Sequence, residues 1–140
     1  MGKQLRVVHL VLSVVAMAAA GTSAAHAQRV REAPNVVLKS GESYEYGPFY
    51  VVINCRSMLK GTPAAEIVEG PPGVSVTMKD EMVLPRAHNC PNRVLGATMV
   101  ISAGKEIEDP SDTRLIVRVT YKTRDGDKKS NNTFNLSLLP

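Results

Sequence analysis

The amino-acid sequence predicts an all-β protein, an antiparallel β-sandwich of about seven short strands with one disulfide bond. Three observations favour this fold class. Apolar residues recur at every second position in several segments, which is typical of strands with one buried face. Turn signals such as the Gly-Pro-Pro-Gly at 70–73 follow one another at close intervals. No segment shows the periodicity of an amphipathic helix.

The alternation predicts eight candidate strands, at 35–39, 49–55, 65–69, 74–79, 81–85, 97–103, 113–122 and 134–138. In the second of these segments the alternation continues to Cys55, which predicts one unbroken strand. The run at 65–69 is also compatible with a short helix capped by Thr62. We favour a strand there because Ile67 and Val68 are β-branched.

A β-hairpin is predicted between the last two strands, because Asp-Gly is a strong signal for a tight turn. With Asp125-Gly126 as a two-residue loop, Val117 lies opposite Phe134 and Leu115 lies opposite Leu136. Both apolar sets then share one face. A three-residue loop would place them on opposite faces, which a half-buried sheet does not accept.

The number and spacing of these strands resemble the immunoglobulin-like β-sandwich. Two hallmarks of true immunoglobulin domains are absent. The sequence contains no Trp, and its two cysteines are closer together than the usual pair that joins the two sheets. The resemblance concerns architecture alone and implies no particular function.

The first 27 residues have the three parts of a secretory signal peptide. Lys3 and Arg6 precede an apolar run that is too short to span a bilayer, and Ala25-His26-Ala27 forms an A-x-A cleavage site. Cleavage after Ala27 leaves residues 28–140 as a single secreted domain of 113 residues without a transmembrane anchor. The alanine-rich end of the signal is typical of bacteria, so we expect a periplasmic protein.

The net charge gives no argument for nucleic-acid binding. The formal charge of +4 includes Lys3 and Arg6, and residues 1–27 contain no acid, so the mature chain carries +2. These charges are of mixed sign along the chain rather than clustered as in a nucleic-acid-binding face.

Two cysteines remain after cleavage, and an exported chain usually joins such a pair. We therefore predict a disulfide between Cys55 and Cys90, with His88 as a surface loop residue. The alternative is a soft-metal site for copper or zinc, in which His88, Cys90, Cys55 and Met58 are the ligands. We favour the disulfide because His88 is the only histidine of the mature chain and zinc-site spacing is missing. No cofactor is expected.

No combination of residues predicts catalysis. Ser57 and Lys60 match S-x-x-K, but the partner motifs of that enzyme class are missing. No serine lies in a G-x-S-x-G turn. The acidic segment 106–112 is interpreted as a solvated loop, with Ca²⁺ binding as the alternative. We therefore predict that the protein is not an enzyme.

Two groups of residues are candidates for a binding surface. Tyrosines crowd the segment 43–50 and either close one end of the sandwich or form a contact surface. Cations crowd the segment 122–129, which is either an ordinary solvated hairpin tip or a contact for an anionic partner. The candidate residues are Tyr44, Tyr46, Tyr50, Lys122, Arg124, Lys128 and Lys129.

The expected function is a small secreted, non-catalytic β-sandwich that binds or supports another envelope component. The partner would be an envelope protein or an anionic envelope polymer. The alternative function is a periplasmic metal-binding or redox protein that uses His88 and Cys90.

The predicted cleavage site can be checked on the exported protein. N-terminal sequencing is expected to begin at Gln28, and Ala27→Trp is expected to block processing because the last signal position requires a small residue. His26→Leu, at the tolerant middle position, serves as the control. A full-length chain retained in the membrane fraction would contradict the prediction.

Overall fold

The computed structural model describes residues 31–140, and the predicted signal peptide lies outside them. The described chain is all-β, with one short 3₁₀ helix at Arg86–His88. Its strands are β1 (Asn35–Lys39), β2 (Ser43–Phe49), β3 (Val52–Ile53), β4 (Arg56–Ser57), β5 (Ala64–Glu69), β6 (Val74–Val83), β7 (Val94–Ala103), β8 (Ser111–Thr123) and β9 (Gly126–Leu139).

The strands form three sheets. Sheet A has the order β1-β9-β8-β5, and sheet B has the order β2-β7-β6. The short strands β3 and β4 pair with each other as a separate hairpin. The two larger sheets contain seven strands, which agrees with the predicted number, but β2 was not among the predicted segments. None of the helices within 31–140 is long and apolar enough to cross a membrane.

The core consists of alternate apolar residues from both larger sheets, as the sequence pattern predicts. Met99 and Ile101 of β7 are fully buried, and so are Leu115 and Val117 of β8 and Phe134 of β9. Burying each such side chain contributes about 1.5–3 kcal/mol. The remaining members of the core cluster are Val36, Leu38, Phe49, Ala103, Val119, Leu136 and Leu138.

Several predicted elements are confirmed. The segment 65–69 is a strand within β5 rather than a helix, and β1 has the predicted bounds. The candidates at 74–79 and 81–85 are parts of one ten-residue strand, β6. The prediction of an entirely antiparallel arrangement is wrong, because β1 runs parallel to β9. In this position Val36 and Leu38 are buried beside the core residues of β9.

The predicted unbroken strand at 49–55 is wrong. β2 ends at Phe49, and the chain then turns at Asn54 and Cys55 between β3 and β4. Both turn residues have positive φ, 50° and 59°, which is the backbone of the tight hairpin turns that favour Asn at such positions. Cys55 is consequently exposed on the turn instead of lying on a buried face.

The β8–β9 hairpin is confirmed, but its predicted register is wrong by two residues. Leu115 lies opposite Phe134, and Val117 lies opposite Asn132. Because side chains alternate with a period of two, this even shift keeps the apolar residues on the predicted face. The predicted buried face is therefore correct, although the predicted residue pairs are not.

The turn explains the shift. Arg124 and Asp125 form the loop, and Gly126 pairs with Thr123 at a φ of 104°. The Thr123 hydroxyl donates to the Gly126 carbonyl (2.5 Å) and accepts from the Asp125 N–H (3.3 Å). Glycine is thus used after the turn, where a positive φ is needed, and not inside it.

Gly96 offers a test of close packing between β7 and its neighbours. A Cβ at Gly96 would lie 2.5 Å from Cγ2 of Val83 and 2.7 Å from the Phe49 carbonyl oxygen, whereas one at Gly61 meets nothing within 4 Å. Gly96→Ala is expected to lower the free energy of unfolding by about 1–3 kcal/mol. Gly61→Ala, as the matched control, should change it by less than about 0.5 kcal/mol in urea titrations. Equal effects of the two substitutions would contradict this packing.

Candidate functional site

Three connecting segments meet at one end of the molecule. They are the segment 50–63 between β2 and β5, the loop 84–93 between β6 and β7, and the hairpin tip 122–129. We call these three segments the basic end. They meet because neighbouring antiparallel strands run in opposite directions, so alternate connections lie at the same end.

The segments of the basic end are joined by direct bonds. Cys55 of the first segment is bonded to Cys90 of the second, with 5.4 Å between the Cα atoms. The Lys60 N–H donates to the Lys122 carbonyl (2.9 Å), and the Arg124 N–H donates to the Met58 carbonyl (3.3 Å). One covalent crosslink and two main-chain hydrogen bonds therefore hold the three segments against one another.

The basic end carries eight cations and only two acids, Asp125 and Asp127. All eight cationic residues are exposed. Four of them, on the hairpin tip, are the predicted candidates, and four come from the other two segments. The eight are Arg56, Lys60, Arg86, Arg93, Lys122, Arg124, Lys128 and Lys129.

The opposite end is acidic. We call residues 39–42, 69–73 and 104–112 together the acidic end. Main-chain hydrogen bonds join these segments: the Gly104 N–H donates to the Gly73 carbonyl (2.7 Å), and the Gly41 N–H donates to the Gly104 carbonyl (3.0 Å). The acidic end carries only two cations, Lys39 and Lys105. Its six acids are all exposed and are Glu42, Glu69, Glu106, Glu108, Asp109 and Asp112.

The predicted disulfide is confirmed, and it occupies both sulfurs that the metal alternative requires. Cys90 is buried and Cys55 exposed. His88 is exposed, as predicted, with its ring edge against Tyr50 at 5.7 Å between centroids. Met58 lies next to β4, where its N–H donates to the Val51 carbonyl (2.8 Å). Within 31–140 no three His, Cys, Asp or Glu side chains are grouped to hold a metal.

The candidate tyrosines do not form one surface. Tyr46 is partly buried and packs edge-on against the core residues Phe134 and Phe49, with ring centroids 4.9 and 5.9 Å apart. Tyr44 is 37% exposed on β2, and Tyr50 lies beside His88. Of the three, only Tyr50 lies at the basic end.

A cleft of about 580 Å³ opens beside the basic end. One wall is the bend at Gly47 and Pro48 with Tyr50, and the other is the end of β6 with the start of the loop 84–93. Glu45, Glu81 and Thr98 of sheet B also line it. Arg86 and Arg93, which flank the disulfide-bonded Cys90, bring two cations to the same cleft.

Hydrogen bonds fix most polar groups of the cleft. Lys79 donates to Oε1 of Glu45 at 2.6 Å, and this bond raises the pKa of Lys79 above its usual value. The Thr98 hydroxyl donates to the Glu81 carboxylate. Nη1 of Arg93 donates to the Met82 carbonyl at 3.1 Å. The cleft therefore presents acceptors from sheet B and cations from the disulfide-bonded loop.

Four cations of the basic end were missed by sequence reasoning: Arg56, Lys60, Arg86 and Arg93. They are isolated in sequence, so no local cluster indicates them. The signal that indicates them is indirect. Every second connection between antiparallel strands lies at the same end of the molecule. Adding the charges of every second connecting segment therefore gives one set of connections with net positive charge and one set with net negative charge.

The fold and site thus define a disulfide-bonded all-β protein with oppositely charged ends. Comparisons with protein-family models, with curated proteins and with solved structures give no match for this chain.

Loss of the disulfide should destabilise the protein. The bond closes a loop between residues 35 apart, and loop-closure entropy of that size corresponds to about 3–4 kcal/mol. We expect reductant to lower the free energy of unfolding in urea by that amount. The C55S/C90S double variant should be equally destabilised and insensitive to reductant. A reductant effect of the same size in the double variant would contradict the assignment.

Proposed function

We propose that the protein is a secreted, non-catalytic β-sandwich of immunoglobulin-like architecture that binds an anionic component of the bacterial envelope through its basic end. The export is inferred from the predicted signal peptide, and the disulfide suits an oxidising compartment. The absence of catalysis is inferred from the sequence, which offers no nucleophile with a partner base.

The strand order supports the architecture. The order β2-β7-β6 corresponds to strands B, E and D of an immunoglobulin-like domain, and β9-β8-β5 corresponds to G, F and C. The core cluster takes residues from both sheets, as a sandwich requires. The first strand departs from the constant-domain pattern because it pairs with β9 instead of β2.

The observation that carries the proposed function is the separation of charge. Eight cations from three distant segments are gathered at one end, while six acids lie at the other. A surface of one sign attracts partners of the opposite sign and raises their association rate. Because the three segments are crosslinked, the cations are presented together and little ordering is needed on binding.

The alternative function, a copper, zinc or redox protein using His88 and Cys90, needs both sulfurs reduced. Thiol titration of the exported protein discriminates between the two proposals. Two free thiols together with bound metal would favour the alternative, and no free thiol favours the binding module.

Binding to an anionic polymer should depend on salt and on the basic end. With inorganic polyphosphate as the probe, K128Q/K129Q is expected to weaken binding at least threefold. It should also lower the slope of log Kd against log salt by about one to two, roughly one per lost phosphate contact. K39Q/K105Q, an equal charge change at the acidic end, is the control. Equal weakening by both pairs in fluorescence titrations would contradict the proposed orientation.

A further inference from the structure

The cleft beside the basic end has two cations that lack acidic partners. The ion pairs within 31–140 are Lys79 with Glu45 and Arg118 with Glu66, so neither Arg86 nor Arg93 is paired with a carboxylate there. Both line the cleft. Their guanidinium groups are therefore available for an anion. Arginine forms bidentate hydrogen bonds with carboxylates and phosphates.

The cationic side of the cleft is held in place. Arg86 and Arg93 lie on either side of Cys90, whose bond to Cys55 anchors their loop to the β3–β4 hairpin. Arg93 is also held by its hydrogen bond to the Met82 carbonyl. An anion at this position meets one arginine whose side chain is already hydrogen-bonded and a loop that is covalently anchored, and both reduce the ordering needed on binding.

Two carboxylates of sheet B in the cleft lining, Glu45 and Glu81, accept hydrogen bonds. Ionised carboxylates accept and never donate, and each has about four acceptor positions. One position of Glu45 is used by Lys79, and one of Glu81 is used by Thr98. The remaining positions are open to donors from water or from a ligand, and neutral hydroxyl groups of a ligand can occupy them without adding charge.

The rest of the lining is apolar. Pro48, Tyr50, Met82 and Leu84 offer flat or flexible carbon surface between the charged groups. A cleft of about 580 Å³ lies within the usual range of small-ligand sites, about 300–1,000 Å³. A ligand that combines an anion, several hydroxyl donors and a carbon face matches all three parts of the lining.

We propose that this cleft binds one acidic sugar unit of an anionic polysaccharide. Arg86 and Arg93 hold the carboxylate or phosphate of the sugar, Glu45 and Glu81 accept its hydroxyl protons, and Tyr50 covers its carbon face. This inference rests on the proposed function and deepens it by naming the chemical class of the envelope polymer.

Calorimetric titration of the oxidised full chain tests the inference with four probes. A galacturonate hexamer carries carboxylates on sugar, and a phosphomannan oligosaccharide carries phosphates on sugar. Maltohexaose is neutral sugar, and hexaglutamate is charge without sugar. We expect at least one acidic saccharide to bind tenfold or more tightly than both maltohexaose and hexaglutamate, and the tighter of the two identifies the anion.

Matched variants locate the site. R86Q/R93Q is expected to weaken binding of the acidic saccharide at least tenfold, and at least threefold more than K128Q/K129Q does, which is an equal charge change at the basic end but outside the cleft lining. Unchanged circular dichroism confirms that the variants are folded. Amide shifts on titration should include Tyr50 and Thr98, which line the cleft.

The outcomes separate the two proposals. If hexaglutamate or maltohexaose binds as tightly as the acidic saccharides, or if both variant pairs weaken binding equally, the cleft inference is overturned while the basic end remains a binding surface. Shifts confined to 122–129 also overturn it. If no anionic probe, polyphosphate included, binds even at low salt, both proposals fail.

Discussion

The burial of alternate apolar side chains in one core fixes which face of each long strand is buried. Met99 of β7, Leu115 of β8 and Phe134 of β9 are inaccessible to solvent. A shift of any of these strands by one residue would expose them and bury polar neighbours. The antiparallel pairing of β2 and β6 with β7, and of β5 and β9 with β8, then determines the end at which each connection lies. Core packing and strand pairing therefore determine that the segments of the basic end meet, whereas the charges on those segments are not required by either.

The eight cations at one end repel one another, and one disulfide bond and two main-chain hydrogen bonds oppose this repulsion. At separations of about 10 Å the repulsion between exposed charges is largely screened in physiological salt, but closer pairs still repel. The bond between Cys55 and Cys90 and the hydrogen bonds of Lys60 and Arg124 keep the segments together. The acidic end, with fewer charges, is held by main-chain hydrogen bonds and by the Ser40 hydroxyl, which donates to the Ile107 carbonyl and accepts from the Ile107 N–H, both at 3.2 Å.

The sequence indicates which face of a strand is buried better than it indicates register or turn geometry. The β8–β9 hairpin was predictable in its buried face, but two registers that differ by two residues bury the same side chains. The hydrogen bonds of the Thr123 hydroxyl distinguish them, and no pattern of apolar residues reports those bonds. Cys55 continued an alternation by coincidence, because its positive φ is required by a turn that Asn54 begins. Arg86 and Arg93 were not predicted as residues of one binding site, because only the tertiary structure brings both of them to the cleft.

The charged ends are not explained by folding. Exposed charges contribute little to stability, about 0–1 kcal/mol per pair, so a neutral set of loops would leave the core intact. Residues 28–140 carry a formal charge of only +2, which gives weak attraction to a polyanion from a distance. Attraction becomes strong only when the basic end faces the partner, while the acidic end is repelled. The charge separation thus favours one orientation towards a polyanion, and under the proposed function that orientation brings the cleft with Arg86 and Arg93 to the polymer surface.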